Sequence, residues 1–375
     1  MNGPRGHLLQ GSRLGLGTMR FPVGADGRIQ EVIAQEILAC ALELGIRYID
    51  TGYNYLGGVA EAFLGQALRR YQSIQVDVVT KMPTWLIKTR DDFDRVFYSQ
   101  LRRLRRDRLN HYLVHALNGE SWVTMQSLGL LPWLDAKLET GEIGEVGFSF
   151  HDKFSVFRTI LEGYSRWSVC QIQVNCLEPD GQAGLRGANF ASGRNVRVIG
   201  MAPLGGGRLA KVDGEFGRAL AARSSKWAPA ALALSWVLSE PSISTTLVGA
   251  NSAMDVRDAL AVSQRGSLSG ADRRLIRDIS VGLRVRGGSP CSGCGYCEPC
   301  PSGVAIRGNI ELLERLESGE AATELALEYL SFSENQKAGA CTNCRRCIEL
   351  CPQRVSIPES LAKATACFGA AMRET

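Results

Sequence analysis

Two sets of residues in this chain have types and spacings suited to chemistry. The first is cysteine: Cys291, Cys294, Cys297 and Cys300, followed by Pro301, and then Cys341, Cys344, Cys347 and Cys351, followed by Pro352. The later group matches the iron-sulfur run C-x2-C-x2-C-x3-C-P in every spacing, whereas the earlier one is a residue shorter before its last cysteine. Three cysteines at intervals of three let one turning segment present thiolates to three irons of a cubane. The fourth iron takes a ligand from elsewhere, and in two-cluster proteins that ligand comes from the other motif. The expected sets are therefore Cys291, Cys294, Cys297 and Cys351 for one 4Fe-4S cluster, and Cys341, Cys344, Cys347 and Cys300 for the other. Structural zinc is the competing reading, but zinc takes two separated pairs and has no use for a third cysteine at the same interval. Cys40, Cys170, Cys176 and Cys367 fit no spacing and are expected to be ordinary buried thiols.

The second set is Asp50, Tyr55, Lys81 and His115. A tyrosine protonates a carbonyl oxygen effectively only if a nearby cation draws its pKa down from about 10, each unit being about 1.4 kcal/mol. Lys81 can supply that cation, and Asp50 can hold the ammonium and keep it charged. A neutral His115 can donate a hydrogen bond that orients the substrate oxygen.

These four groups belong to a repeating pattern of short apolar runs separated by segments of helical period. Eight runs are predicted as strands: Leu14 to Met19, Ile46 to Asp50, Val76 to Lys81, His111 to His115, Ile143 to Ser149, Val169 to Val174, Val196 to Met201 and Ser244 to Gly249. Eight strands fit an α/β fold of the (β/α)8 TIM barrel type better than an open doubly wound sheet, and no GxGxxG turn is present. In such a barrel the carboxyl ends of the strands face the active site, and Asp50, Lys81, His115 and Ser149 all fall there.

After the eighth run, Ser252 to Val262 and Ala271 to Leu283 read as helices that carry the chain away and back, so that Cys291 is expected near the catalytic face. The breaker run Arg286 to Pro290 predicts a boundary, giving a barrel over 1–285 and an α-helical ferredoxin-like domain over 286–375. Within the latter, Ile310 to Ser318 and Ala322 to Ser331 have helical spacing.

Composition excludes little else. A net charge of +5 over 375 residues does not mark a dedicated nucleic-acid binder. No apolar run has signal-peptide or membrane-spanning length, so a cytoplasmic location is expected, where clustered cysteines bind metal more often than they form disulfides. Leu101 to Leu109 reads LRRLRRDRL, predicted as a solvated helix face, with a docking patch for an acidic electron carrier as the sharper alternative.

The segments LGLGTMR, IDTGYNYLGG, VVTK, YLVH, GEIGEVGFSFHD, QIQVN and APLGGGRLA resemble the aldo-keto reductases. With CSGCGYCEPCPSGV and CTNCRRCIELCPQ, the chain resembles the subgroup that carries a C-terminal 4Fe-4S ferredoxin-type domain. The resemblance implies Tyr55 as catalytic acid, with Asp50, Lys81 and His115 completing a tetrad, and Ser149 and Gln171 holding a nicotinamide carboxamide. It also implies a phosphate site at Asn251 and Ser252, where a helix N-terminus offers backbone N–H groups. Three positions depart from the family pattern. Met201 stands where an aromatic ring usually underlies the nicotinamide, Phe150 replaces an amide, and the loop from Gly249 to Asp255 holds no cation.

The expected function is an iron-sulfur oxidoreductase acting on a small carbonyl, alcohol or related organic substrate, with Tyr55 as proton donor and electrons relayed through two 4Fe-4S clusters. A ferredoxin, flavodoxin or radical enzyme would be its redox partner. Two alternatives stand beside it: an NAD(P)H-dependent carbonyl reductase with structural or sensing clusters, and a non-catalytic electron-transfer adaptor subunit. No flavin motif is visible, and clusters move single electrons while nicotinamide moves a hydride.

Overall fold

The computed structural model describes residues 12–24, 27–285, 291, 293, 295–317, 319–351, 353 and 355–371. Cys294 and the breaker run 286–290 lie outside these residues. Two compact units are present: residues up to Gly205 together with Ser225–Ser280, and Gly206–Ser224 together with the chain from Val281 onward.

In the first unit eight parallel strands close into a barrel in sequence order. They are β1 (Leu14–Gly17), β2 (Tyr48–Asp50), β3 (Asp77–Pro83), β4 (Leu109–Leu117), β5 (Ile143–Phe150), β6 (Trp167–Gln173), β7 (Arg197–Met201) and β8 (Thr245–Gly249). All eight predicted runs overlap these strands, with β4 longer at both ends than the pattern suggests. The β4–β5 connection carries two helices, Gly119–Ser127 and Leu130–Glu139, where a single helical segment would have sufficed.

Side chains alternate between barrel interior and helix layer with period two, and that alternation stacks the interior in layers. Tyr48, Val79, Leu113, Val169, Ile199 and Leu247 form one apolar layer, with Met201 packed against it. Two residues toward the carboxyl ends the same columns turn polar, at Asp50, Lys81, His115 and Gln171. Two residues the other way, Asp77, His111 and Arg197 occupy the amino ends, where His111 Nδ1 lies 3.0 Å from Glu145. The apolar layer therefore separates a polar floor from a polar mouth. Gly147 on β5 shows how tightly the strands meet, since a Cβ there would lie 2.2 Å from the Val169 carbonyl oxygen.

The second unit is helical, with Ile306–Glu317, Ala322–Leu330 and Ile357–Ala371 as its main helices and a short one at Arg346–Leu350. Its core gathers Ile310, Leu313, Leu325, Tyr329, Leu361 and Phe368, with Tyr329 and Phe368 stacked at 4.9 Å. Segment 206–224, which the sequence assigns to the barrel, groups with this unit, and Lys211 Nζ lies 2.5 Å from Glu311. Cys40, Cys170 and Cys176 are buried thiols, whereas Cys367 is only half-buried. No helix among the described residues is long and apolar enough to cross a membrane.

Candidate active site and cysteine cavities

Lys81 is the hub of the barrel mouth. Its Nζ donates to Asp50 Oδ2 at 2.7 Å, to the Thr51 carbonyl at 2.8 Å and to the Tyr55 hydroxyl oxygen at 2.9 Å. The ammonium also lies 4.6 Å from the centre of the Tyr55 ring. Asp50, Lys81 and His115 are at most 2% exposed and Tyr55 is 6% exposed. Burial pushes the Asp50 carboxyl up and the Lys81 ammonium down, and each is opposed by the other's charge. Because a buried charge without its partner costs about 3–5 kcal/mol, the pair holds the site together as well as tuning it. An ammonium in contact with a phenol oxygen stabilises the phenolate and makes the hydroxyl a better proton donor.

His115 completes the set from β4, with its ring 6.2 Å from that of Tyr55. Burial, then the charges of Lys81 and His151, hold its pKa well below the ordinary imidazole value. The ring is therefore neutral at neutral pH. A register shift between Val114 and Leu117 interrupts the β4–β5 ladder, and Ala116 adopts φ 51°. Ser149 Oγ accepts from the Ala116 N–H at 2.7 Å, and Thr84 Oγ1 donates to the His115 carbonyl at 3.1 Å. Irregularities of this sort re-aim side chains at sites, and this one fixes where His115 points.

One group at the mouth, His151, carries no role in the sequence reading, whereas Trp85 and Trp133 are both expected from it to line the mouth. His151 stands two residues beyond Ser149 and hence on the same face. It is half-buried, hydrogen-bonds to Gln182, and has its pKa pushed down to about 4 by desolvation. Trp85, half-buried, packs against His115 at 5.0 Å between ring centres. The period-two count from Ser149 is the signal that locates His151. Trp133, by contrast, packs among Phe93, Phe97 and Tyr112, away from the mouth.

In the second unit the cysteines surround two cavities. One is lined by Cys300, Cys341, Cys344 and Cys347, together with Cys297. The other is lined by Cys291, Cys297 and Cys351. Each cavity thus draws cysteines from both motifs, and Cys297 lines both. The two motif segments are tied together directly. The Ser302 and Thr342 hydroxyls lie 3.0 Å apart, and the buried Asn309 side chain donates to the Ala305 and Gln336 carbonyls, both at 2.8 Å. The Cys347 thiol has its pKa raised by burial and by nearby Cys341, Cys344 and Cys300. Such a donor set gathers mutually repelling thiolates that bound cations would relieve. Among the described residues no three His, Cys, Asp or Glu converge as single-ion ligands. The Cys300 set, whose four members are all described, lines one cavity together with Cys297.

Residues 13–280 match the aldo/keto reductase family model, which covers well over half of the chain. The chain belongs to the aldo/keto reductase family. Residues 290–356 match the 4Fe-4S dicluster domain model, so this aldo/keto reductase is an iron-sulfur oxidoreductase. No curated protein matches it. Among solved structures, aldo-keto reductase AKR11C1 from Bacillus halodurans in its holo form superposes with a TM-score of 0.59 at 20% identity, over 72% of this chain and 92% of the other. The thermostable aldo-keto reductase Tm1743, solved with the inhibitor epalrestat, gives 0.58 at 23% identity, over 71% and 94%. An aldo/keto reductase from Klebsiella pneumoniae, solved with NADP and acetate, gives 0.57 at 22% identity, over 72% and 91%. At these identities the likeness speaks for the barrel fold.

Fit to a nicotinamide cofactor differs between its two ends. In this aldo/keto reductase Gln171 faces Asp50, and its buried Oε1 has no hydrogen-bond partner among the described residues, so a carboxamide N–H could serve it. At the other end, the Asn251 and Ser252 N–H groups already donate to Asp255 Oδ2 at 2.8 and 3.1 Å, in a capping box closed by Ser252 Oγ. A carboxylate thus occupies the N–H groups at which the sequence reading places a phosphate. Phe150 points into the helix layer against Phe157, and Met201 lies on the mouth side of the apolar layer. One cation does reach this region from β1's end, where the Arg20 side chain crosses Gly249 so closely that a Cβ there would lie 2.6 Å from Arg20 Cγ.

The arginine run behaves less simply than a solvated face. Arg102, Arg105 and Arg108 are exposed, but Arg103 pairs with the fully buried Glu61 at 2.9 Å and lies over the Tyr53 ring. Glu61 in turn accepts from Thr80 Oγ1 and Gln100 Nε2, each at 2.6 Å, and Gln100 also donates to the Lys81 carbonyl at 3.0 Å. Arg103 is therefore committed to the packing behind Lys81.

Proposed function

We propose that the barrel mouth reduces a small carbonyl compound, or oxidises the corresponding alcohol, with Tyr55 transferring the proton at oxygen. The observation that carries this reading is the Lys81 Nζ contact to both Tyr55 OH and Asp50 Oδ2 at the carboxyl ends of β2 and β3. A substrate oxygen set against Tyr55 receives its proton, and the phenolate left behind is stabilised by Lys81 until solvent returns the proton. Neutral His115 orients the same oxygen by hydrogen bonding, and Trp85 covers its ring and limits water access. Asp50 keeps the ammonium in place throughout. Carbonyl reduction takes two electrons and two protons, of which Tyr55 accounts for the proton at oxygen.

Cys291, Cys294, Cys297 and Cys351 would hold one 4Fe-4S cluster, and Cys300, Cys341, Cys344 and Cys347 the other. When bound, such clusters supply electrons one at a time, which suits exchange with a redox partner protein. Anaerobic reconstitution is expected to give about eight irons and eight sulfides per chain. Four irons, or stoichiometric zinc, would contradict this assignment. A second reading, carbonyl reduction by NAD(P)H with the clusters in a sensing or structural role, is favoured by the unpartnered Gln171 Oε1 and disfavoured by Asp255 on the phosphate-binding N–H groups.

A further inference from the structure

The loop Thr342–Arg346 is exposed throughout, including Cys344, whereas the other described cysteines of the two motifs are half-buried. Both Arg345 and Arg346 line the Cys300, Cys341, Cys344 and Cys347 cavity, and no carboxylate does. The charge is also unspent. Between 291 and 371, the other described basic side chains all pair with carboxylates: Arg307 with Glu298, Arg315 with Glu320 and Glu328, Lys337 with Glu334, and Lys363 with Glu317. No ion pair is formed by Arg345 or Arg346 among the described residues. Between 291 and 371, the two described cations without a carboxylate partner therefore line the cavity that contains the exposed Cys344.

We propose that this loop is the docking surface for a small acidic one-electron carrier protein, recognised by the Arg345 and Arg346 guanidinium groups. The inference rests on the reading that Cys300, Cys341, Cys344 and Cys347 hold a 4Fe-4S cluster. Planar guanidinium groups pair bidentately with surface carboxylates, and complementary charge steers the encounter and sets its orientation. The transfer is balanced by one electron: the carrier's centre is oxidised by one and the acceptor centre reduced by one, with no bond made or broken. An exposed ligand shortens the path for that electron. The arginine run on the barrel is the weaker candidate, because Arg103 is already held by Glu61.

The test uses the full chain, reconstituted anaerobically, with an acidic plant-type ferredoxin as probe and a basic cytochrome c as control. The dissociation constant of the ferredoxin is measured by titration calorimetry. It is expected to weaken about tenfold or more between low salt and about 0.5 M salt, and by a similar factor at low salt in Arg345→Glu/Arg346→Glu. Iron and sulfide content should be unchanged, and Arg345→Lys/Arg346→Lys should retain most of the binding. Unchanged affinity in the charge-reversed variant, or equal binding of the basic control, would overturn the docking surface while leaving the cluster reading intact. A wild-type chain that takes up no iron at the Cys300, Cys341, Cys344 and Cys347 set would overturn the cluster reading and this proposal with it.

Discussion

Tyr55→Phe is expected to lower turnover of carbonyl substrates by about 10²–10⁴-fold, the usual contribution of a positioned general acid, or about 3–5 kcal/mol of barrier. Phenylalanine keeps the ring and removes only the hydroxyl. Lys81 then retains Asp50 Oδ2 and the Thr51 carbonyl as partners, so the buried ammonium is not stranded and the barrel should fold normally. Iron content should match that of the parent chain, which separates loss of chemistry from loss of structure. Because burial and the Lys81 charge hold His115 well below its ordinary pKa, the parent enzyme's kcat/KM should show no break near pH 6.5 from that residue. An Asp50→Asn variant should be less well tolerated than Tyr55→Phe, since it leaves Lys81 buried without its counter-charge. Turnover that survives Tyr55→Phe unchanged would take the proton-donor role away from Tyr55.

Cys300→Ser is expected to remove the cluster of the second motif and to spare that of the first, although Cys300 belongs to the first motif in sequence. The reason lies in the cavities: Cys300 shares one with Cys341, Cys344 and Cys347, while Cys291 shares the other with Cys351. Cys351→Ser should give the complementary result. EPR spectra of the two reduced variants, compared with the parent, decide the matter. If Cys300→Ser instead removed only the first-motif signal, each motif would be holding its own cluster and the exchanged assignment would fail.

The barrel was legible because parallel strands buried on both faces read as apolar runs, and because polar residues at strand ends have no other reason to include Asp, Lys and His in register. Boundaries were less legible. The long β4 includes Asn110 and Ala116, which interrupt the apolar pattern but are held by a cross-strand contact to Asp77 and by the Ser149 hydroxyl. His151 lay outside the reading because Phe150 separates it from Ser149, and only the alternation of a strand continuing past its last apolar residue places it on the interior face. Trp85 reaches His115 from the turn after β3, a contact no local pattern encodes. The helices Arg346–Leu350 and Ile357–Ala371 escaped notice beside the second cysteine motif, where ligand spacing dominated the local signal. Arg103 illustrates the reverse error: charge clustering suggests a solvated surface, but a long side chain can turn inward to a buried carboxylate such as Glu61.

The measurement closest to the central proposal is a single-turnover reaction. Reconstituted protein, reduced chemically, freed of reductant and free of nicotinamide, is mixed anaerobically with a panel of small aldehydes and ketones while its visible spectrum is followed. Substrate-dependent reoxidation is expected, with alcohol formed at one molecule per two electrons lost, slowed at least about a hundredfold in Tyr55→Phe. Reduced protein that stays reduced with every compound, while the same compounds are turned over once NADH or NADPH is added, would contradict the proposal and leave the clusters outside the catalytic reaction.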